Sequence, residues 1–509
     1  MKDRIEQPGP ACVEPRRGDD ARVTAQHASG KLTASQRIAL LLDPGSFEEY
    51  DDFVQQRGSA VGATDARATN DGIIAGSGTV NGRAVLVFAK DITFLGGAVS
   101  AAQAQKIVKL QEMALRNRAP LIGLYDSLGI DIHDGLSALA GLGEIYQRCV
   151  CASGVIPQIS VVMGPCIGAD AFVPALSDFI FMVRETSSLF VAGPEVVRAV
   201  THQSVSVEEL GGASMHAGKS AVADGAYDND VAALLQIRRL VDFLPTSHEA
   251  ALPEWPSFDD PERIELSLDS LVPDDPTRPY DIKELIGKTV DEGDFFEIQE
   301  AHAENIVIGF GRIGGRSIGL VANQPLVLAG VLDCDALRKA ARFVRFCDCF
   351  NIPIVTFVDV PGFLPGIAQE HGGVVKQGAK LLFAYAEASV PKITIITRNA
   401  FGAAYDVMAS KHLRGDVNYA WPSAQIGLMG AQGAAELLFP AEKDDPDKRA
   451  ARRRDYEARV LSPVIAVERG YIDHIIMPHE TRPRIACALA VLRHKYAENP
   501  RKKHDNIPL

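Results

Sequence analysis

Apolar runs alternate with amphipathic segments along most of the chain. Residues 335–351 carry apolar side chains at helical spacing, at Leu337, Ala341, Val344 and Phe350, which predicts a helix with one buried face. The segments PIVTFVDV and KITIIT that follow are unbroken apolar runs, as in strands buried on both sides of a sheet. Strands that alternate with helices in this way predict an α/β fold with a largely parallel sheet.

The same pattern occurs twice in the chain. The segments NGRAVLVFAK and GGRSIGLVAN resemble each other, as do APLIGLYDSLG and IPIVTFVDVPG, and Asp126 then corresponds to Asp359 with an offset of 233 residues. SVVMGPCIGADAF resembles TIITRNAFGAAYD, where Gly168 corresponds to Gly402 with an offset of 234. A nearly constant offset predicts two copies of one structural unit.

The boundary between the copies is expected within residues 245–282, which are rich in Pro and Asp and show no clear period. We therefore expect a flexible N-terminal tail at residues 1–30, a first domain at 31–250, a linker at 251–280 and a second domain at 281–509. The charged run at residues 441–460 has mixed signs and is expected to form a solvated helix.

Composition excludes several classes of protein. The net charge of -13 over 509 residues argues against a general nucleic-acid binder, which needs an excess of Lys and Arg. The first twenty residues lack the apolar run of a secretory signal, and no later stretch is long and apolar enough to span a membrane, so we expect a cytoplasmic protein without membrane contact. The eight cysteines form no CxxC pair, which favours reduced thiols and no metal site.

The candidate catalytic sites are the places where an apolar strand ends in small residues and a helix begins. Backbone N–H groups at a helix start have no partner within the helix, and the helix dipole favours negative charge there. Gly168 with Ala169, and Gly402 with Ala403 and Ala404, stand at equivalent positions of the two copies. One such turn alone is better explained by tight helix packing. Two related turns favour a pair of oxyanion holes.

Other catalytic motifs are missing from the sequence. It contains no GxSxG elbow, no HExxH and no Walker loop. Among the twelve histidines, His133 is the one of interest, because it lies in a strand-end loop beside Asp131 and Asp134. Two oxyanion holes without an obvious covalent nucleophile suit enolate chemistry.

Long motifs give the chain a family resemblance from about Lys31 to the C-terminus. They include RIALLLDPGSFEEYDDFV, ASGVIPQISVVMGPC, EELGGASMHA, KAARFVRFCDCFNIPIVTFVDVPGFLPG and GAKLLFAYAEASVPKITIITR. The chain resembles the carboxyltransferase (β) subunits of biotin-dependent propionyl-CoA and acetyl-CoA carboxylases, as a divergent member. The resemblance implies two duplicated crotonase-like domains of the ClpP/crotonase superfamily, each a β-β-α superhelix.

The resemblance also implies an activity and its residues. In this family a carboxyl group passes from carboxybiotin to the α-carbon of an acyl-CoA through an enolate. By position, Gly168 and Ala169 would hold the thioester oxygen, and Ala403 and Ala404, which follow Gly402, would hold the biotin oxygen. Asp406 matches a family position beside both ligands that influences acyl-chain preference. Its carboxylate could also cap free N–H groups at the start of its helix, and the two roles are compatible.

Partners follow from the same resemblance. The sequence has no Met-Lys-Met biotin attachment motif and no ATP-binding carboxylase half, so biotin carboxylase and the biotin carboxyl carrier are expected on separate chains. Similar family members are homohexamers whose active sites lie between the N-half of one subunit and the C-half of another. Acyl-CoA is the expected substrate, and no metal is expected.

The first site departs from the family pattern. The family reads DSGGARIQEG where this chain has Leu128, Gly129, Ile130, Asp131 and His133 within its substrate-binding loop, and it reads GPCAGGAVYSPAL where this chain has Ala169 and Asp170. Alanine keeps the backbone N–H if its φ stays negative. A carboxylate near an enolate opposes its charge, unless it is protonated or acts as proton donor or base, which makes Asp170 a catalytic candidate.

Three functions remain open at this point. The first is carboxyl transfer to an unusual acyl-CoA, with Asp170 and His133 reshaping the acyl pocket. The second is a biotin-independent decarboxylation or another crotonase-like reaction on an acyl thioester, with Asp131, His133 or Asp170 supplying a proton. The third is an inactive paralogue that binds acyl-CoA.

Overall fold

The computed structural model describes residues 20–52, 54, 71–275, 278–442 and 445–508. Backbone proximity divides the chain into two compact units, Met1–Ala251 and Leu252–Leu509. Within the described residues, no helix is both long and apolar enough to cross a membrane.

The first unit is built on one sheet, which has eight strands among the described residues. The strands are β1 (Glu48–Glu49), β2 (Ile73–Val80), β3 (Arg83–Lys90), β4 (Leu121–Ser127), β5 (Gln158–Ile167), β6 (Phe179–Val183), β7 (Ser188–Phe190) and β8 (Gly225–Tyr227). They run in the order β1-β2-β3-β4-β5-β6-β8, with β7 also paired to β5. From β3 onward all neighbours are parallel, whereas β1, β2 and β3 pair antiparallel.

Helices join and cover these strands. They are α1 (Asp20–Ala28), α2 (Ala34–Leu41), α3 (Ala101–Asn117), α4 (Leu136–Ala152), α5 (Phe172–Ala175), α6 (Pro194–Thr201), α7 (Val207–Gly211), α8 (Ala213–Met215) and α9 (Asp230–Phe243). The side chain of Ser100 caps α3 by accepting from the backbone N–H of Gln103. The apolar faces of α3 and α4, with Ile107, Leu110 and Leu142 on them, pack in the core against the sheet.

Part of the stretch expected to be an N-terminal tail is helical. Residues 20–28 form α1, and the buried Gln26 donates to Asp126 Oδ2 at 2.9 Å. The segment is polar and gives no apolar signal in the sequence, and one buried amide ties it to the unit. The rest of the expected tail, residues 1–19, lies outside the described residues.

The second unit repeats this architecture, again with eight strands in its described part. They are β9 (Phe296–Ile298), β10 (Ile306–Ile313), β11 (Arg316–Asn323), β12 (Ile354–Val360), β13 (Lys392–Phe401), β14 (Val417–Ala420), β15 (Gln425–Gly427) and β16 (His474–Ile475). The helices are α10 (Ile282–Thr289), α11 (Cys334–Cys349), α12 (Ile367–His371), α13 (Val374–Glu387), α14 (Gly402–Val407), α15 (Ala431–Leu438), α16 (Pro446–Tyr456), α17 (Pro463–Glu468) and α18 (Thr481–Val491). The sheet order is β16-β14-β13-β12-β11-β10-β9, with β15 paired to β13.

The helix predicted in the second copy is confirmed as α11. Asp333 caps it by accepting from the backbone N–H of Ala336 at 2.8 Å. Leu337, Ala341 and Val344 are buried, and so is Phe350, directly after the last helical residue. The charged run is also helical as expected, in α16. None of the described residues of α16 is buried, as in a solvated helix.

Much of the segment expected to be a linker packs on the second unit. The backbone N–H of Trp255 donates to Gly315 O at 2.9 Å, and Leu268, in a short 3₁₀ helix (Leu266–Ser270), is fully buried. Single apolar anchors separated by Pro and Asp give no period in the sequence, so the packing of this segment was not predicted.

The duplication is visible in the strand register. Strands β3, β4 and β5 correspond to β11, β12 and β13, and the pairing of β4 with β5 slips between Tyr125 and Ser127. The pairing of β12 with β13 slips at the equivalent point, between Val358 and Val360. The prediction of two copies of one α/β unit is therefore confirmed.

Candidate active site

The first turn (Gly168–Ala171) connects the end of β5 to α5. Gly168 has a φ of +73°, in the left-handed region that favours glycine, whereas Ala169 keeps a negative φ. No side chain caps this turn, so its first N–H groups are left for an outside acceptor. Gly168 and Ala169 are half-buried, which leaves their backbone within reach of a ligand.

The second turn (residues 402–404) follows β13 and opens α14. Gly402 has a φ of +59°, and a Cβ added to it would lie 3.1 Å from Leu428 O, so this position needs glycine. Ala403 and Ala404 keep negative φ; the first is exposed and the second buried. Because φ is negative at these alanines, their backbone N–H groups are kept as donors in both turns.

The loop of residues 128–135 lies beside the first turn. It leaves β4 at the point where Ser127 pairs with Cys166, and a Cβ on Gly129 would lie 2.9 Å from Ile167 O, directly before Gly168. Val99 holds the loop from the other side, because its N–H donates to Gly129 O at 2.8 Å and its carbonyl accepts from Asp131 N–H at 2.9 Å. The structure thus places Gly129 next to Ile167, the residue before the first turn, while Ile130 pairs with Val99.

The carboxylates of this loop accept hydrogen bonds from backbone N–H groups of the loop and of α3. Asp131 Oδ1 accepts from the backbone N–H of His133 at 2.9 Å. Asp134 Oδ2 accepts from the backbone N–H of Ala101 at 2.6 Å. His133 itself is exposed. Both carboxylates therefore stabilise the loop conformation through backbone donors.

Asp170 occupies a place that the sequence did not predict. Its side chain is fully buried, and Lys90 Nζ lies 2.6 Å from both of its carboxylate oxygens. Lys90, the last residue of β3, is buried as well. The carboxylate of Asp170 therefore faces the core behind the first turn. Lys90 was missed in the sequence, although a charge that ends an apolar strand was a signal available there.

Tyr146 is a second residue that the sequence analysis missed. It lies on α4, and its hydroxyl donates to the carbonyl oxygen of Ala169. Burial, and next the charge of Asp170, raise the pKa of Tyr146 to about 12, so it keeps its proton at neutral pH. The apolar spacing of α4 gave no sign that this ring reaches the first turn.

Asp406 lies in the second turn's helix and does not cap it. It is the fifth residue of α14, and Phe401, at the cap position, makes no side-chain hydrogen bond to the helix. The alternative role of Asp406 as a helix-start cap is therefore wrong, because the helix begins earlier than that role requires. Asp406 is half-buried, and its charge adds to the burial that raises the pKa of Tyr405.

The donors of the two turns are backbone groups. Over the part of the chain that the structure describes, no group of three or more His, Cys, Asp and Glu side chains is arranged to hold a metal ion. The two turns instead present backbone N–H donors, which suit an oxygen that gains negative charge during a reaction.

Comparison with known proteins gives the family. Residues 25–507 match the family described as Carboxyl transferase domain. The propionyl-CoA carboxylase beta chain of Cereibacter sphaeroides is 61% identical over 492 residues, which are 97% of this chain and 96% of the relative. The mitochondrial propionyl-CoA carboxylase beta chain of Homo sapiens is 50% identical over 494 residues, which are 97% of this chain and 91% of the relative.

Solved structures agree with this result. A crystal structure of transcarboxylase 12S, a hexamer assembly with hydrolyzed methylmalonyl-coenzyme A bound, matches with a TM-score of 0.96 and 41% identity, covering 100% of this chain and 99% of that one. The expectation of two duplicated crotonase-like domains is thereby confirmed. The chain belongs to the carboxyl transferase family, as a β subunit of the acyl-CoA carboxylase type.

Proposed function

We propose that the first and second turns are the two oxyanion holes of carboxyl transfer to the α-carbon of an acyl-CoA. The observation that carries this proposal is the repeated geometry of the turns. In each, a glycine with positive φ ends a buried parallel strand, and alanines with negative φ begin a helical turn that no side chain caps. Two holes in one duplicated chain match a reaction in which two oxygens carry negative charge.

The amides of Gly168 and Ala169 hold the thioester oxygen in this proposal. When the α-proton leaves, negative charge builds on that oxygen, and N–H donors that are already oriented stabilise it without reorganisation. The neighbouring loop, with Gly129 and Ile130, lies beside the acyl group. Asp131 and His133 of the same loop contribute to substrate binding in this proposal.

The amides of Ala403 and Ala404 hold the biotin oxygen. Backbone donors at an uncapped helix start fit the ureido oxygen of biotin, which is an acceptor that becomes anionic. Held there, biotin on a separate carrier protein supplies the carboxyl group and a basic site for the α-proton. Gly402 sets the direction of these donors, and Asp406, four residues further on, helps to select the acyl chain.

The relatives support a short acyl-CoA as substrate. The relative at 61% identity is a propionyl-CoA carboxylase beta chain, and the transcarboxylase 12S structure has hydrolyzed methylmalonyl-coenzyme A bound. We therefore propose a substrate of the propionyl-CoA class, with a biotin carboxylase and a biotin carboxyl carrier supplied by partner chains.

We also propose a homohexamer in the cytoplasm. Transcarboxylase 12S forms a hexamer assembly, and this chain leaves large apolar side chains exposed on both units, including Ile132, Leu136, Val375 and Leu428. A further copy would cover such side chains. Cys149, Cys166 and Cys347 are buried thiols outside any disulfide, which suits a reducing compartment.

A biotin-independent decarboxylation gains no support from Asp170. That reaction needs a proton donor at the substrate, and the carboxylate of Asp170 is buried against Lys90. Asp131 is engaged by the backbone N–H of His133. Asp131 and Asp170, the acidic residues that depart from the family pattern, therefore have structural contacts that explain them without a different reaction.

Reversed carboxyl transfer tests the proposed function. The purified chain is incubated with malonyl-CoA, methylmalonyl-CoA and longer carboxyacyl-CoAs, with and without free biotin, and loss of the carboxyl group is followed by mass spectrometry. We expect turnover of methylmalonyl-CoA that requires biotin. Turnover without biotin would favour a decarboxylase. An absence of turnover over the whole panel, while the chain still binds CoA thioesters, would favour the inactive paralogue.

Replacing each hinge glycine separates the two holes. Gly402→Ala should raise the biotin concentration needed for half-maximal turnover, because it disturbs the second turn. Gly168→Ala should lower turnover at saturating biotin, because it disturbs the turn at the thioester. Identical effects of both variants on the biotin and CoA dependences would contradict the assignment of one ligand to each turn.

A further inference from the structure

The ion pair between Lys90 and Asp170 lies directly behind the first turn. Both side chains are at least nine-tenths buried, and Lys90 Nζ is 2.6 Å from Asp170 Oδ1 and from Oδ2. Lys90 ends β3, and Asp170 is the third residue of the first turn. The pair therefore ties the turn to a strand at the other side of β4.

The second unit has no charges at the equivalent positions. The offset of 233 residues places Asn323 where β3 has Lys90, and the offset of 234 places Ala404 where the first turn has Asp170. Asn323 bonds to Gly330 O at 3.1 Å and accepts from the backbone N–H of Asp359 at 3.3 Å. The same scaffold thus carries two neutral residues at these positions in one unit and an ion pair in the other.

The groups around the pair are neutral, so each of the two charges is stabilised mainly by the other. The ring of Tyr125 lies 5.4 Å from Lys90 Nζ, and Cys166 Sγ lies 3.9 Å from Asp170 Oδ2. Tyr146 stands on the turn's other side, with its hydroxyl on the carbonyl of Ala169. None of these three groups carries a charge at neutral pH, so removal of one charged partner leaves the other buried among neutral groups, which is strongly unfavourable.

We propose that Lys90 is a positioning residue for the first oxyanion hole and acts through Asp170. One peptide group joins Asp170 to Ala169, whose N–H is a donor of the hole. With the carboxylate of Asp170 fixed on Lys90 and the carbonyl of Ala169 fixed on Tyr146, the peptide planes of the turn have little freedom to rotate. This inference rests on the proposed function of the first turn, and it assigns Asp170 a supporting place instead of a proton-transfer role.

Three variants test the coupling: Lys90→Gln, Asp170→Ala and the double variant, which makes the pair neutral as in the second unit. We expect each single change to lower the kcat of biotin-dependent methylmalonyl-CoA decarboxylation by about tenfold or more, since a misplaced donor weakens stabilisation of the oxyanion. The KM for methylmalonyl-CoA should change far less than kcat. The double variant should recover most of the lost kcat, because no lone charge remains.

A buried ion pair of the second unit serves as the matched control. Arg482 Nη2 lies 2.6 Å from Asp291 Oδ1 in the second unit, and both side chains are buried. Arg482→Gln should lower the melting temperature as a structural change does, yet leave kcat unchanged. If a single variant of the Lys90 pair fails to fold, Asp170→Asn, which keeps the shape and an acceptor for Lys90, takes its place beside the double variant.

Hydrogen exchange of peptides that span residues 166–176 separates this inference from the proposed function. The single variants should exchange faster there and the double variant close to the parent rate, whether or not the parent chain turns over substrate. A parent chain without turnover would defeat the proposed function alone. Unchanged exchange and kcat in Asp170→Ala, or a double variant as impaired as the worse single one, would overturn the positioning role.

Discussion

Asp126 and Asp359 lie at the same register break of the two sheets, yet cations from different parts of the chain neutralise them. Asp359 accepts from Arg398 Nε at 2.9 Å, on the adjacent strand β13. In the first unit Gly164 takes the place of Arg398, and Lys31 and Arg37, near the start of the unit, contact Asp126 at 3.1 and 2.8 Å. The buried carboxylate was kept through the duplicated fold while its counterion changed.

Gly164 is therefore expected to tolerate no side chain. A Cβ added there would lie 1.9 Å from Asp126 Oδ1, and Asp126 is fixed by its cations. Gly164→Ala should destabilise the first unit by about 3 kcal/mol or more, measured by denaturant unfolding.

Gly143→Ala is the matched control for Gly164→Ala. Gly143 is exposed in the interior of α4, and an added Cβ would meet nothing within 4 Å. This variant should stabilise the chain by about 0.5–1 kcal/mol, because alanine is the better helix former. Equal effects of the two substitutions would show that Asp126 moves freely, against the contacts described above.

Gly168 and Ala169 of the first turn should respond differently to exchange of glycine and alanine. Gly168→Ala places a side chain at a φ of +73°, which strains the turn by about 1–2 kcal/mol and turns its donors away. Ala169→Gly keeps the donor and relieves no strain, so turnover should stay within about threefold of the parent. Steady-state decarboxylation with biotin measures both. Unchanged turnover in Gly168→Ala together with a large loss in Ala169→Gly would contradict the φ values of the two residues.

The sequence predicted the features that depend on local patterns. Unbroken apolar runs and a constant offset predicted two α/β copies, and small residues at strand ends predicted the turns at Gly168 and Gly402. Apolar runs and small residues at strand ends are patterns of neighbouring residues, and the offset compares two such patterns, so all three can be recognised without a structure. The buried face of α11 followed from the helical spacing of its apolar residues.

The features that escaped prediction depend on pairs distant in the chain. Lys90 and Asp170 are 80 positions apart, and no periodic signal connects them, so Asp170 was interpreted alone as a charge at the substrate. Tyr146 reaches Ala169 from another element for the same reason. The helix α1 is polar, and the burial of Gln26 against Asp126 has no apolar signature.

Leu128 is expected to limit the length of the acyl chain. It stands where the family pattern has glycine and is 56% exposed in the same loop as Gly129. Its backbone N–H donates to Gly96 O at 2.9 Å. Leu128→Ala should raise the ratio of kcat/KM for butyryl-CoA to that for propionyl-CoA by about tenfold, because the shorter side chain leaves room for the additional methylene of the butyryl group. Carboxylation with the partner subunits measures this ratio.

Val150→Ala controls for the loss of an exposed apolar side chain. Val150 is 62% exposed at the far end of α4 and should leave the substrate ratio unchanged. An unchanged ratio in Leu128→Ala as well would remove Leu128 from the acyl pocket.

Lys339 should make the stability of the second unit depend on pH. It is buried on α11, and its ammonium group donates to the carbonyl oxygens of Gln299, His302 and Ile306 at 2.7–2.9 Å. Burial lowers the pKa of Lys339 from 10.5 to about 8. Below pH 8 the lysine is protonated in the folded and unfolded chains alike, so its contribution does not vary with pH.

Between pH 8 and 10.5 the unfolded chain retains the proton of Lys339 while the folded chain has released it. Because the unfolded state then binds more protons, the contribution of Lys339 to stability rises with pH in this window. The parent should therefore gain about 2 kcal/mol over Lys339→Met between pH 8 and 10, from urea unfolding at each pH. Lys376→Met, at an exposed position of α13, should show no such trend relative to the parent. A pH-independent difference between the parent and Lys339→Met would mean that the folded chain keeps Lys339 protonated throughout, held by its carbonyl acceptors.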